Sequence, residues 1–208
     1  MNKKKREKRK PKNIKEKGIK EQDKELEKKV INRIVKPTLK ALKDKNQYYR
    51  GFLYVGLMIK NKNPYLIEYN VRMGDPECQV IIPRLKTDLL KIINFSLKNQ
   101  LKKLKLSWVK SKCMTIVLCA KGYPGNYKKG MAVPIKKVKD NKNLHIVHAG
   151  TKRENGKILS SGGRVLNVVC MGQNFSSIRK KIIKLIKKIN WKGGFYRKDI
   201  GWRVIKKI

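Results

Sequence analysis

The chain has 208 residues, enough to bury one good core or one and a half. Its 55 Lys and Arg against 14 Asp and Glu give a net charge of +41, so nonspecific polyanion binding is expected. No stretch approaches the ~20 apolar residues of a membrane span, and the four cysteines and two histidines, His145 and His148, make neither a CxxC pair nor a zinc pattern.

In chain order, residues 1–28 carry only Ile14, Ile19 and Leu26 as sizeable apolar side chains and read as a basic, disordered extension. It lacks the apolar run of a secretory signal, and a soluble chain of the reducing cytoplasm is expected. The basic excess is not confined there: residues 1–30 hold 14 basic and 6 acidic residues and the remainder 41 and 8. Lysine outnumbers arginine 44 to 11, as codon bias produces, whereas selected phosphate or base recognition favours the guanidinium fork.

Val30, Ile34, Thr38, Ala41 and Leu42 recur at helical spacing, which predicts a helix over Val30–Leu42 disturbed at Pro37. Phe52–Ile59 and Tyr65–Arg72 read as an antiparallel strand pair joined through KNKNP. Thr87 or Asp88 then caps a helix burying Leu89, Ile92, Ile93 and Leu97 against that pair, and the lysines of Lys98–Lys112 mark a boundary. Beyond it, strands are predicted at Met114–Cys119, Met131–Val138, Leu144–His148 and Val165–Met171. A helix opening at Ser176 or Ser177 presents Ile178, Ile182, Leu185, Ile186 and Ile189 as one stripe that covers the sheet.

The most informative stretch is PYLIEYNVRMGDPECQVIIPR, from Pro64 to Arg84. In an extended strand Ile67, Tyr69 and Val71 point one way and Glu68, Asn70 and Arg72 the other. A buried strand with that polar face needs partners for its charges, and a divalent ion with an anionic ligand supplies them. Mg²⁺ takes hard oxygens such as those of Glu68 and Asn70 together with substrate phosphates, while Arg72 can reach a phosphate oxygen. Gly74, Asp75 and Pro76 form a turn that leaves Asp75 and Glu77 at the strand's end. The pattern alone equally fits an edge strand with a solvated polar face. GYPG at Gly122–Gly125 and SGGR at Ser161–Arg164 are turn signals that also let backbone approach a phosphate. Arg197 and Asp199 read as an internal ion pair, His148 as a structural group, and Cys113 and Cys119 as small packed hydrophobes.

EYNVRMGDPECQ followed by IIPRLKTDLL closely resembles the end of the ATP-grasp domain in the phosphoribosylamine–glycine ligase family. GYPGNYKKG, HAGTK, SGGRVLNV and FYRKDIGW follow in that family's order, so the resemblance covers about Val30 to Arg203. It implies an α+β chain: the C-terminal part of an ATP-grasp domain (29–108), then a small, mainly antiparallel β-sheet domain with a packed helix (109–208). It further implies Glu68 and Asn70 as ligands of the Mg²⁺ or Mn²⁺ that bridges ATP phosphates. Arg72 joins them in cofactor binding and, with Asp75, in catalysis, while Gly162, Gly163 and Arg164 border the substrate.

The implied activity is ATP-dependent ligation of glycine to 5-phosphoribosylamine through a glycyl phosphate, giving glycinamide ribonucleotide, ADP and phosphate for purine biosynthesis. The family's N-terminal nucleotide-fold domain and the front of its ATP-grasp domain find no counterpart here. The chain is therefore expected to be a truncated or split part of such an enzyme, with a separate N-terminal half as a partner. The competing reading is a non-enzymatic basic remnant of the same fold that binds RNA or an acidic partner.

Overall fold

The computed structural model describes residues 24–135 and 141–205, so residues 1–23 of the predicted extension lie outside the described residues. Contacts divide the chain into two compact units that meet in sequence at Arg72 and Met73.

In the first unit, helical winding runs from Lys24 to Asp44. Ile31–Val35 is a π-helical turn, followed by α1 (Lys36–Asp44) with Pro37 in its first turn. Proline lacks an N–H to give the preceding turn. The disturbance expected at Pro37 thus takes the form of wider winding rather than a break. Thr38 donates from Oγ1 to the carbonyl of buried Ile34 at 2.8 Å, and the Tyr69 hydroxyl lies 2.5 Å from Thr38 Oγ1.

Tyr69 belongs to β2 (Asn63–Asn70), which pairs antiparallel with β1 (Tyr54–Lys60). Their link is the two-residue turn Asn61–Lys62, with φ of 49° and 58°, the doubly left-handed backbone that tight hairpins require. Gly56 pairs with Glu68 but Leu57 pairs with Leu66, so Ile67 is an extra residue that kinks β2.

Two strand expectations are corrected here. β2 ends at Asn70 rather than Arg72, and it is not buried: Ile67 is 64% and Val71 72% exposed. The helix reaches the pair through Tyr69.

The second unit opens with α2 (Cys78–Ile81), a short 3-10 turn at Ile82–Arg84, and α3 (Leu89–Leu97). Asp88 caps α3 by accepting from the Lys91 backbone N–H at 2.8 Å. Ile93 and Leu97, expected in a core, are exposed together with Leu90, and the small turn Leu101–Lys103 packs beside this helix.

The core lies further on, between β3 (Lys112–Ala120), β4 (Leu144–His148), β7 (Arg164–Gly172), β8 (Gly194–Phe195) and α4 (Phe175–Ile189). The four strands form one antiparallel sheet in the order β4-β7-β3-β8. On β3, Met114, Ile116, Leu118 and Ala120 are buried and alternate with half-buried residues. β7, flanked on both sides, is buried from Val165 to Cys170. The predicted stripe of α4 is buried residue for residue, each side chain contributing about 1.5–3 kcal/mol.

The cap of α4 is Asn174, whose Oδ1 accepts from the backbone N–H groups of Ser176 and Ser177 at 2.8 and 3.3 Å, so the two serines lie inside the helix instead of opening it. A short helix α5 (Trp202–Ile205) follows β8. Where Met131–Val138 was predicted as a strand there is a single bridge, Ala132 to Leu159, and residues 136–140 lie outside the described residues. The unpredicted hairpin β5 (Thr151–Glu154) and β6 (Lys157–Ser160) turns at Asn155–Gly156, with φ of 47° and 69°. Among the described residues no helix is long and apolar enough to cross a membrane.

Candidate functional site

At the end of β2, Glu68 and Asn70 lie on the same side of the hairpin, and Asn70 Nδ2 donates to Glu68 Oε1 at 3.1 Å. The bulge at Ile67 makes this a local achievement. It puts Leu66 and Glu68, two residues apart, on opposite faces, so the carboxylate faces away from Leu66. Across the ladder, a Cβ at Gly56 would approach the Glu68 Cγ to 3.0 Å, so the missing side chain leaves the glutamate its room. The glutamate is exposed and Asn70 half-buried. Arg72 falls in the bend beyond the last paired residue, so the alternation that aligned it with Asn70 does not extend to it.

A second pair of predicted residues meets in the second unit. Asp75 and Arg164, far apart in sequence, form an ion pair at 3.3 Å, and Arg164 Nη1 also donates to the Asp75 backbone carbonyl. Asp75 Oδ1 accepts a further bond from Gln79 Nε2 at 3.0 Å. A bulge again aims the side chain: Leu118 pairs with Leu166 and Cys119 with Arg164, leaving Val165 over. Without that extra residue Arg164 would share the face of Leu166 and Val168, which is buried under α4. With it, Arg164 joins Cys119 on the opposite face. A hydrogen bond with the Tyr123 hydroxyl, outweighing partial burial, and then the charge of Asp75 hold the guanidinium's pKa above its ordinary value.

The glycines beside Arg164 are engaged in packing. A Cβ at Gly163 would fall 2.0 Å from the Tyr123 ring, and Gly162 stacks its backbone on that of Gly150. His148 Nδ1 sits 2.8 Å from Thr151 Oγ1, a turn bond in keeping with the structural role expected of it. Arg197 and Asp199 form the predicted ion pair in bidentate fashion, Nε to Oδ1 at 3.1 Å and Nη2 to Oδ2 at 2.6 Å. The hydrogen bond to Arg197 draws the Asp199 pKa below the carboxylate range. Burial, and then the nearby Cys170, push the Cys113 thiol up to about 11. Burial likewise raises Cys119, partly offset by Arg164. Sequence reading passed over Tyr123, Gln79 and Gly56; of these only Gly56 carried a signal, a glycine inside a strand where a neighbour comes close.

Residues 19–78 match the ATP-grasp (A) domain of phosphoribosylglycinamide synthetase, and residues 113–203 match its C domain. The chain belongs to the phosphoribosylamine–glycine ligase family. A ligase of that name from Caldanaerobacter subterraneus is 43% identical over 179 residues, which are 84% of this chain and 42% of the relative. The chloroplastic ligase of Arabidopsis thaliana is 40% identical over 190 residues, 88% of this chain and 35% of the relative. The crystal structure of the Thermotoga maritima phosphoribosylamine–glycine ligase superposes with a TM-score of 0.63 at 32% identity, over 76% of this chain and 39% of that one. The chain thus spans about two fifths of the length of such ligases. Glu68, Asn70, Arg72 and Asp75 lie in the ATP-grasp match, whereas Gly162, Gly163 and Arg164 lie in the C-domain match.

Proposed function

We propose that this chain supplies the metal-holding strand and the C domain of an enzyme that joins glycine to 5-phosphoribosylamine with ATP. The products are glycinamide ribonucleotide, ADP and phosphate, a step of purine biosynthesis. The observation that carries the reading is the Glu68–Asn70 pair, two side chains locked together at 3.1 Å on an open strand face within the ATP-grasp match.

The donor set suits Mg²⁺ or Mn²⁺. With Nδ2 of Asn70 turned to Glu68, the amide Oδ1 and the carboxylate are the oxygens presented to an ion. Among the described residues no three His, Cys, Asp or Glu side chains gather at one place. An ion here therefore relies on two protein oxygens plus phosphate oxygens, the usual mode of Mg²⁺ with a nucleotide. Glu68 and Asn70 would hold such an ion beside the phosphates, where it would supply charge neutralisation to the transferring phosphoryl group.

The chain's own residues do the rest by positioning. Glu68 and Asn70 fix where the phosphates lie, and Arg72 places donors against the phosphoryl or acyl-phosphate oxygens. A glycine carboxylate oxygen attacks the terminal phosphorus and ADP leaves. The amine of phosphoribosylamine then attacks the acyl carbon of glycyl phosphate and phosphate leaves. Asp75 orients Arg164, and Gly162, Gly163 and Arg164 border the amine substrate.

The test is product formation from ATP, glycine and phosphoribosylamine by the chain alone and by the chain fused behind the N-terminal three fifths of a relative. The chain alone is expected to be inactive and the fusion active. In the fusion, Glu68→Ala should lower kcat by on the order of 10²-fold or more and alter the Mg²⁺ dependence. Full turnover by the variant with an unchanged Mg²⁺ requirement would falsify the assignment.

A further inference from the structure

Arg84 closes the 3-10 turn Ile82–Arg84, and backbone bonds tie this stretch to the segment ahead of β3. The Arg84 carbonyl accepts from the Val109 N–H at 2.8 Å, the Ser107 carbonyl accepts from the Lys86 N–H at 2.9 Å, and Leu85 bridges to Trp108 between them. Arg84 and Trp108 therefore stand on one fixed frame. Both line a cavity of about 360 Å³ together with Val80 and Ile81 of α2 and Cys113 near the start of β3. That volume lies within the range of small-molecule sites, on the order of 300–1,000 Å³. The reaction above uses none of these five residues.

The cavity holds a positive charge with nothing to balance it. No Asp or Glu lines it, and none of the ion pairs among the described residues includes Arg84. Arg84 Nε is buried without a hydrogen-bond partner among those residues. Cys113 does not compensate, because burial keeps its thiol neutral, with a pKa of about 11, even beside the guanidinium. A half-buried guanidinium with no counter-charge is costly, and a bound anion relieves the cost. Its planar fork of donors matches a carboxylate. The remaining walls are apolar: Val80, Ile81 and the Trp108 ring, 44% exposed although it is a large aromatic. One guanidinium calls for one negative charge, and these walls call for an apolar body attached to it.

We propose that this cavity binds a small monocarboxylate with a flat apolar body, its carboxylate on Arg84 and its body against Trp108, Val80 and Ile81. The same chemistry excludes a free amino acid such as glycine, whose ammonium would enter a cavity that already has a cation and has no carboxylate to receive it. Every lining residue falls between Val80 and Cys113, inside one compact unit, so this chain by itself should bind the ligand.

Calorimetric titration of the full chain at 0.15 M salt with phenylacetate as the probe provides the test. Saturable binding at one site per chain is expected. Phenylacetamide keeps the shape without the charge, and acetate keeps the charge without the ring; each should bind at least tenfold more weakly, and glycine not measurably. Arg84→Gln should weaken phenylacetate at least tenfold. Lys86→Gln, at an exposed lysine nearby, should leave it unchanged, which separates a fixed guanidinium from the general attraction of a basic chain for anions. In the wild type, saturating phenylacetate should also slow the alkylation of Cys113 by iodoacetamide at pH 10 severalfold, read by peptide mass spectrometry. That measurement needs no variant, should Arg84→Gln fail to fold. Absence of saturable binding, acetate or phenylacetamide binding as tightly as phenylacetate, indifference to Arg84→Gln in a variant that melts like the wild type, or an unchanged Cys113 alkylation rate would overturn the proposal.

Discussion

Cys113 shows how strongly a single position is governed by its surroundings. It sits on β3 in a half-buried place, and burial lifts its pKa to about 11. At pH 8 the thiolate is then about one part in a thousand of the thiol, so iodoacetamide should modify it very slowly in the native chain, and progressively faster as the pH climbs towards 11. Peptide mass spectrometry after timed alkylation at both pH values checks this; fast labelling of native Cys113 at pH 8 would refute the burial argument. Its packing was legible in CMTIVLCA, a strand-like run in which thiols pack as small hydrophobes. The Glu68–Asn70 pair was legible too, since two residues at strand spacing share a face. Arg164 was not readable in this way. Its direction depends on the extra residue Val165, and its neighbours Tyr123 and Asp75 come from distant turns that no local pattern connects.

Helix α4 is where sequence and structure agree most closely, because an apolar stripe of 3.6-residue period against a lysine face leaves one way to pack. Ile182→Ala at its centre should cost about 2–5 kcal/mol, and Asn174→Ala at its cap about 1 kcal/mol, read from urea midpoints at constant m. Equal effects would mean that the cap, not the stripe, anchors the helix. The hairpin β5–β6 escaped notice although ENG is a strong turn signal, because β5 is mostly lysine, arginine and glutamate and neither four-residue strand shows an apolar alternation. The strand expected at Met131–Val138 shows the opposite error. Its apolar residues meet β6 through a single bridge, enough to bury Val133 and too little to make a ladder. At α3 the stripe is real, but Leu90, Ile93 and Leu97 stay exposed.

For the molecule as a whole, five short blocks in a fixed order identified the family, and the α+β class came with that resemblance. Charge carried less information. A surplus of +41 predicts that RNA or heparin will bind, more weakly by on the order of 10²-fold at 200 mM than at 50 mM salt, and with the same affinity for two unrelated RNA sequences of equal length. Filter binding tests this; a tenfold preference between sequences would point to selected recognition rather than to lysine content. The kinks at Ile67 and Val165 finally set what each stretch can tolerate in evolution. Exchanging either residue for another aliphatic leaves the count of backbone units intact, but removing one codon restores a flat ladder and swings the neighbouring acid or base to the wrong side. Around Glu68 and Arg164, in-frame deletions should thus be far more damaging than missense changes at the kinked positions themselves.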